Sequence, residues 1–206
     1  MRPARAIGHI GNVLAVLDGM MSVDFYSINR ALRGSGTLDR GCGAYLDWEG
    51  WESQRQFAEA AHLAFYDLWH AGALGTSAGK SAFRGCTFER GQMEGILRSG
   101  YLIDHGYGFA TAYREEAESH LSEEGLPVKG IYCEEGQPLV PVLFEIQIGR
   151  SSLYLPAKDE PDPFGLRTGF MLERQSGQFI LERYSMLKIR EVSRGDVVHV
   201  RCEQRL

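Results

Sequence analysis

Apolar residues recur at helical spacing through the first 75 positions, and beyond them fall mostly into short strand-like runs broken by turns. Val13, Leu14, Val16, Leu17, Met20 and Met21 lie on one face of a 3.6-residue repeat and predict a first helix. Phe25, Ile28 and Leu32, flanked by Tyr26, Asn29 and Arg33, predict a second, which Gly34-Ser35-Gly36 ends. A longer helix over 51–71 turns Phe57, Ala60, Ala61, Ala64, Phe65 and Leu68 inward. Residues 40–45, with Gly41 and Gly43, read as a loop.

In the second part, Ser81-Ala82-Phe83-Arg84 predicts a short strand closed by Gly85. Residues 92–99 predict a helix stopped by Gly100, and 111–122 another with an acidic outer face. Residues 140–148 alternate in their second half as a strand should. Residues 158–169 carry Pro161 and Pro163 and read as a long surface loop. Further strands are expected over 179–181, 186–192 and 197–201. Helices first and many short strands afterwards predict an α+β fold. One domain over 1–206 is expected, with a helical lobe at 1–75 and a β-rich core at 76–206.

Composition changes little of this. The chain has 206 residues, 44% hydrophobic and 24% charged, which is ordinary for a globular domain. No apolar run reaches the roughly 18 to 20 residues of a membrane span, so no membrane partner is expected. The first residues faintly resemble a signal peptide, but Gly8, His9, Gly11 and Asn12 break the apolar stretch, and the segment reads as a helix of the domain. A net charge of −5 argues against a bulk field for nucleic acid while leaving a local basic patch open. Cys42, Cys86, Cys133 and Cys202 lie far apart, with no CxxC pair, so no metal is expected and reduced thiols in a cytoplasmic setting are the default.

Four segments carry the candidate chemistry, in order along the chain. They are Tyr26-Ser-Ile28-Asn29-Arg-Ala-Leu32-Arg33, Phe83-Arg84-Gly85, Phe109-Ala110-Thr111-Ala112 followed by Glu116-Ala117, and Ser176-Gly177-Gln178-Phe179-Ile180-Leu181. Val142-Leu143-Phe144-Glu145-Ile146 stands between the last two. Together they resemble the mono-ADP-ribosyltransferase toxins and effectors of the arginine–serine–glutamate type. The matching patterns are Y-x-I-N-x-x-L-R, aromatic-Arg-Gly, F-S-T-S, V-L-F-x-I and the E/Q-x-E-V-L-L strand. Two positions depart from the pattern. Alanines 110 and 112 replace both serines, and Gln178 stands where the catalytic glutamate belongs.

The resemblance implies an ADP-ribosyltransferase-like core of two packed mixed β-sheets with N-terminal helices, and NAD⁺ as co-substrate. It implies that Arg84 grips the diphosphate, a role suited to a rigid guanidinium fork. Gly85 is expected to approach the nicotinamide amide through its backbone. Phe109, Ala110, Thr111 and Tyr113 are expected to line the NAD⁺ site, with Arg84, Thr111 and Gln178 in the catalytic roles. The reaction breaks the nicotinamide–ribose bond through an oxocarbenium-like transition state that a carboxylate stabilises. Glutamine lacks that charge, a loss of about 10²–10³ in rate, so an inactivated form is expected. Three explanations stay open: an introduced Glu→Gln change, a natural catalytically dead NAD⁺-binding or adaptor protein, or a shifted register with Glu173 or Glu182 as the carboxylate. The first predicts that Gln178→Glu restores NAD⁺ cleavage.

The resemblance implies a glutamate two positions before the catalytic one for arginine acceptors. Ser176 stands there, so a non-arginine acceptor is expected, either a base in RNA or DNA or another protein side chain. Phe164, Arg167, Phe170 and Arg174 in the preceding loop would recognise it together with Ser176. A bacterial or phage toxin or effector acting in the cytosol fits the resemblance and leaves room for an antitoxin or immunity protein as partner.

Overall fold

The computed structural model describes residues 7–21, 29, 32, 54–121, 139–167 and 169–205. Helix α1 is Ile7–Met20 and α2 is Gln54–His70. Strand β1 (Ser81–Glu89) runs into α3 (Arg90–Ser99), followed by β2 (Tyr101–Asp104), β3 (Gly108–Thr111) and the short α4 (Arg114–Ser119). The chain continues through β4 (Leu139–Gln147), β5 (Ser152–Leu155), a 3₁₀ turn at Gly169–Glu173, β6 (Gln178–Leu181), β7 (Ser185–Ser193) and β8 (Val198–Arg205). The α+β class expected from the sequence holds. Most of the second predicted helix, the 40–45 loop, residues 51–53, Cys42 and Cys133 lie outside the described residues; Asn29 and Leu32 are helical.

The strands are hydrogen-bonded in the order β2-β7-β8-β4-β1-β3-β6-β5. The ladder is continuous, but its middle is thin. β1 pairs with β4 along its whole length, from Ser81 opposite Gln147 to Glu89 opposite Leu139. With β3 it shares one registered pair, Phe83 opposite Thr111. The three-stranded ribbon β3-β6-β5 is therefore nearly detached from the mixed half-sheet, in which β4 and β8 run parallel. Side-chain alternation on β6 shows how the halves sit, because successive residues face opposite sides. Ile180 belongs to the core that contains Val16, Leu17, Phe57 and Phe65 of the helices, with Leu153, Leu155 and Tyr107. Its neighbours Phe179 and Leu181 belong to a second core, with Phe144, Ile146 and Val200 of the other half. The expected two packed sheets are thus one folded sheet, with the ribbon layered between the helices and the mixed half.

Two elements differ from the sequence reading. Gly85 does not close β1; the strand runs on to Glu89 because its ladder with β4 is unbroken. The helix expected over 111–122 is confined to Arg114–Ser119 among the described residues, since Thr111 is held in β3 opposite Gln178. The stop at Gly100 is as expected: its φ is 73°, and its N–H donates to Ile96 O at 3.0 Å. That left-handed conformation favours glycine.

Besides the apolar packing, the Asn29 side chain ties the helical part to the ribbon. Asn29 Nδ2 donates to Tyr107 O at 2.7 Å, and Tyr107 N–H donates back to Asn29 Oδ1 at 2.7 Å. Both residues are buried, and Tyr107 immediately precedes β3. Asparagine offers a donor and an acceptor side by side, which matches one backbone amide. Asn29→Ala strands two buried backbone groups and is expected to cost about 2–4 kcal/mol of stability. Urea denaturation checks this, and an unchanged midpoint would refute the clamp.

Candidate active site

The site forms where β1 parts from β3. Arg84 follows Phe83, the last β1 residue registered with β3, and its side chain is only 9% exposed. Its Nη1 donates to Asp104 Oδ2 at 2.9 Å, while Asp104 Oδ1 accepts from Gly106 N–H at 3.1 Å. A buried charge requires such a partner. Asp104, at the end of β2, was not singled out in the sequence, because a lone acidic residue before a turn carries no signal of its own. The pair ties β1 to the β2–β3 turn. Gly108, at the start of β3, lets the guanidinium in: a Cβ there would stand 3.3 Å from Arg84 Nη1. Arg84→Ala removes the guanidinium that balances the buried Asp104 carboxylate, and is expected to lower stability by about 3–5 kcal/mol. A thermal or urea midpoint equal to wild type would sink that expectation.

Gly85 is required for a packing reason besides the expected ligand contact. A Cβ at Gly85 would lie 2.0 Å from the carbonyl oxygen of Ala117, so helix α4 rests directly on the β1 backbone. Ala117 is itself buried there. This docking sets the position of its neighbour Glu116.

Glu116, which stands in the third motif without a role of its own, is the centre of the site. Thr111 Oγ1 donates to Glu116 Oε2 at 2.6 Å, and Ser176 Oγ donates to the same oxygen. Arg174 Nη1 pairs with Oε1 at 2.7 Å. Gln178 Nε2 lies 3.2 Å from each carboxylate oxygen and 3.1 Å from Ser176 Oγ. Thr111 and Gln178 are register partners on β3 and β6, so their side chains share one face. Four predicted site residues, Thr111, Arg174, Ser176 and Gln178, therefore converge, and they converge on a carboxylate delivered by a helix. Burial pushes the Glu116 carboxyl upward. Hydrogen bonds from Ser176 and Thr111, the Arg174 charge and the Gln178 amide outweigh it, and the group is held below its usual 4.5.

Other predicted residues fall around this centre. Ala110 faces the other way, opposite Phe179 and in the inter-sheet core, and the hydroxyl that meets the Gln178 amide is that of Ser176, at 3.1 Å. Phe109 packs at the margin of the helical core, and Tyr113 is 54% exposed. Gly177 is pressed against Tyr154: a Cβ there would stand 2.0 Å from its hydroxyl. In the preceding loop Phe164 is 37% exposed. Arg167 is structural, donating to Ala157 O at 2.9 Å and to Glu160 O, while its own N–H donates to Asp162 at 2.8 Å. The side chains of Phe170 and Glu173 lie outside the described residues. Glu182, just past β6, has its carboxyl raised by burial. Among the described residues no group of acidic, His and Cys side chains could hold a metal ion, and no helix is long and apolar enough to cross a membrane.

The chain matches no known protein-family profile, and no curated protein matches it in sequence. Its fold does have relatives among solved structures. The Vis toxin, an ADP-ribosyltransferase from Vibrio splendidus, superposes with a TM-score of 0.66 at 14% identity, over 99% of this chain and 77% of that one. The same enzyme in complex with agmatine gives 0.62 at 15% identity, over 95% and 74%. Exoenzyme S from Pseudomonas aeruginosa, in complex with human 14-3-3 protein beta and bound to Carba-NAD, gives 0.54 at 14% identity, over 94% and 73%. The chain has the fold of the mono-ADP-ribosyltransferase toxins and effectors.

The lowered Glu116 pKa has a pH signature. A carboxylate held below its unfolded value of 4.5 contributes stability that is complete above that value. The contribution is lost as pH falls through the folded value. The stability gap between wild type and Glu116→Gln is expected to be full at pH 7 and to close below about pH 4.5. Denaturant titrations of both proteins across pH 3–7 measure it; a gap independent of pH would contradict the network.

Proposed function

We propose that this chain cleaves NAD⁺ and transfers ADP-ribose to a macromolecular acceptor other than arginine, as a toxin or effector acting in the cytosol. One observation carries the reading. In an ADP-ribosyltransferase fold, Phe83, Thr111 and Gln178 form a row across β1, β3 and β6, with Arg84 and Gly85 beside it where β1 and β3 part. That opening would hold NAD⁺, its diphosphate drawn to the Arg84 side and its nicotinamide toward the Gly85 backbone. The bond between ribose C1′ and the nicotinamide nitrogen breaks, and its electron pair leaves with nicotinamide. The acceptor then bonds to C1′ and gives up its proton. Fixed negative charge near the ribose lowers the barrier, because it meets positive charge developing on the sugar.

The acceptor assignment rests on Ser176 and Arg174. Ser176 cannot take a proton from a guanidinium. The carboxylate next to it is already paired with the chain's own Arg174 at 2.7 Å, so an incoming arginine would compete with an internal one. An RNA or DNA base, or a protein side chain other than arginine, fits better, with exposed Phe164 available for stacking.

A second reading, a catalytically dead NAD⁺-binding adaptor, is favoured by the neutral amide at Gln178. Incubation with labelled NAD⁺ and lysate, followed by separation of protein, RNA and DNA, distinguishes them. Label is expected in one macromolecular fraction, with little on agmatine. Efficient agmatine labelling would refute the acceptor assignment. Binding without label or nicotinamide release would support the adaptor, and no NAD⁺ binding by calorimetry would refute both.

A further inference from the structure

We propose that Glu116 is the catalytic carboxylate of this chain, supplying from helix α4 the negative charge that strand β6 lacks at Gln178. The inference rests on the NAD⁺-cleaving reading of the site and goes beyond it by naming a residue.

The geometry carries it in three steps. First, the charge stands where position 178 points. Gln178 Nε2 is 3.2 Å from both Glu116 oxygens, so the end of the glutamine side chain and the carboxylate share one spot at the β3–β6 edge. Second, the carboxylate is built in. Thr111 from β3, Ser176 from the β6 approach and Gln178 from β6 all donate to it, and Ala117 packed on Gly85 fixes the helix that carries it. A carboxylate oriented by hydroxyl and amide donors costs little reorganisation when charge develops nearby. Third, it is reachable: its side chain keeps 22% of its exposure, so a sugar hydroxyl can approach.

Gln178 then has a defined role. An amide donates to the carboxylate, whereas a glutamate at 178 would face it as a like charge at hydrogen-bonding distance. The pair Gln178–Glu116 holds one negative charge, as a lone glutamate on β6 would. In the reaction the C1′–nicotinamide bond breaks heterolytically and the electron pair departs with nicotinamide. Glu116 remains ionised and stabilises the oxocarbenium ion. Water or the acceptor bonds to C1′, and its proton passes to solvent.

The test measures nicotinamide release, acceptor labelling and NAD⁺ affinity for wild type, Glu116→Gln, Glu116→Asp and Gln178→Glu in the full chain. Glu116→Gln is expected to lower kcat for nicotinamide release about 10²–10³-fold, with the NAD⁺ dissociation constant changed only a few-fold. Glu116→Asp keeps the charge and is expected to retain part of the rate. Gln178→Glu is expected to bring no gain. Three results would overturn the proposal while leaving the NAD⁺-cleaving reading standing. These are a gain in Gln178→Glu with Glu116→Gln unaffected, loss of acceptor labelling alone in Glu116→Gln with nicotinamide release intact, and equal loss in the Asp and Gln variants with NAD⁺ affinity abolished in both. Wild type that binds no NAD⁺ overturns that reading itself, and this proposal with it.

Discussion

Two half-sheets that share one registered pair, Phe83 with Thr111, cannot be held at a fixed angle by their ladder. The angle must come from side chains and from packing, and the structure supplies both at the seam. Arg84 reaches from β1 to Asp104 at the end of β2. Asn29 reaches from the helical part to the residue before β3. Helix α4 lies on Gly85 closely enough that no side chain could stand there. These ties differ in kind: a buried ion pair, a two-bond amide clamp and a steric fit. Each fixes a different element against β1 or β3, and the opening between those strands is what they leave.

The site inherits its order from those ties. Thr111 and Gln178 are brought together by the β3–β6 register, which is backbone geometry. Glu116 is brought to them by α4, whose height over the sheet is set by Ala117 against Gly85. Buried polar groups that satisfy one another become strong and specific in a low dielectric, and costly when one is missing. Four donors around a single carboxylate make a unit of this kind. Ser176 and Thr111 are both buried, so neither hydroxyl could be replaced by an alkyl group without leaving a share of the carboxylate unsolvated. Residues that read in the sequence as separate candidates thus act as one group.

Much of this was legible in the sequence, for identifiable reasons. The helical stripe at Phe57, Ala61, Ala64, Phe65 and Leu68 is strictly periodic, and it became the buried face of α2. Val142, Phe144 and Ile146 alternate and form the core side of β4. Strands β2 and β5 have four residues each, too short for period to separate them from loop, and both were missed. Gly85 was read as a stop because an isolated glycine is a usual breaker; whether a glycine ends a strand or admits a neighbour depends on what packs against it. At the site, Arg84, Thr111, Ser176 and Gln178 were found by linear motif. Asp104 was not, because its partner Arg84 lies 20 positions away, and Glu116 stood in the third motif without a role, because three of its four partners lie 58 to 62 positions away.

The departures from the family pattern look different once the contacts are known. Read position by position, Ala110, Ser176 and Gln178 each remove a polar or charged group, and their sum suggests decay. Read in space, Ala110 belongs to the inter-sheet core, where a hydroxyl would need a buried partner. Ser176 and Gln178 are donors aimed at Glu116, and two glutamates in their places would crowd three carboxylates into one small volume. Like charges at that distance cannot all ionise, so one would be driven to hold its proton. What a transition state requires is a charge of the right sign at the right point, and the field does not depend on which element carries it. A helix residue docked on a bare glycine backbone can meet that requirement as well as a strand residue, provided that the strand presents donors.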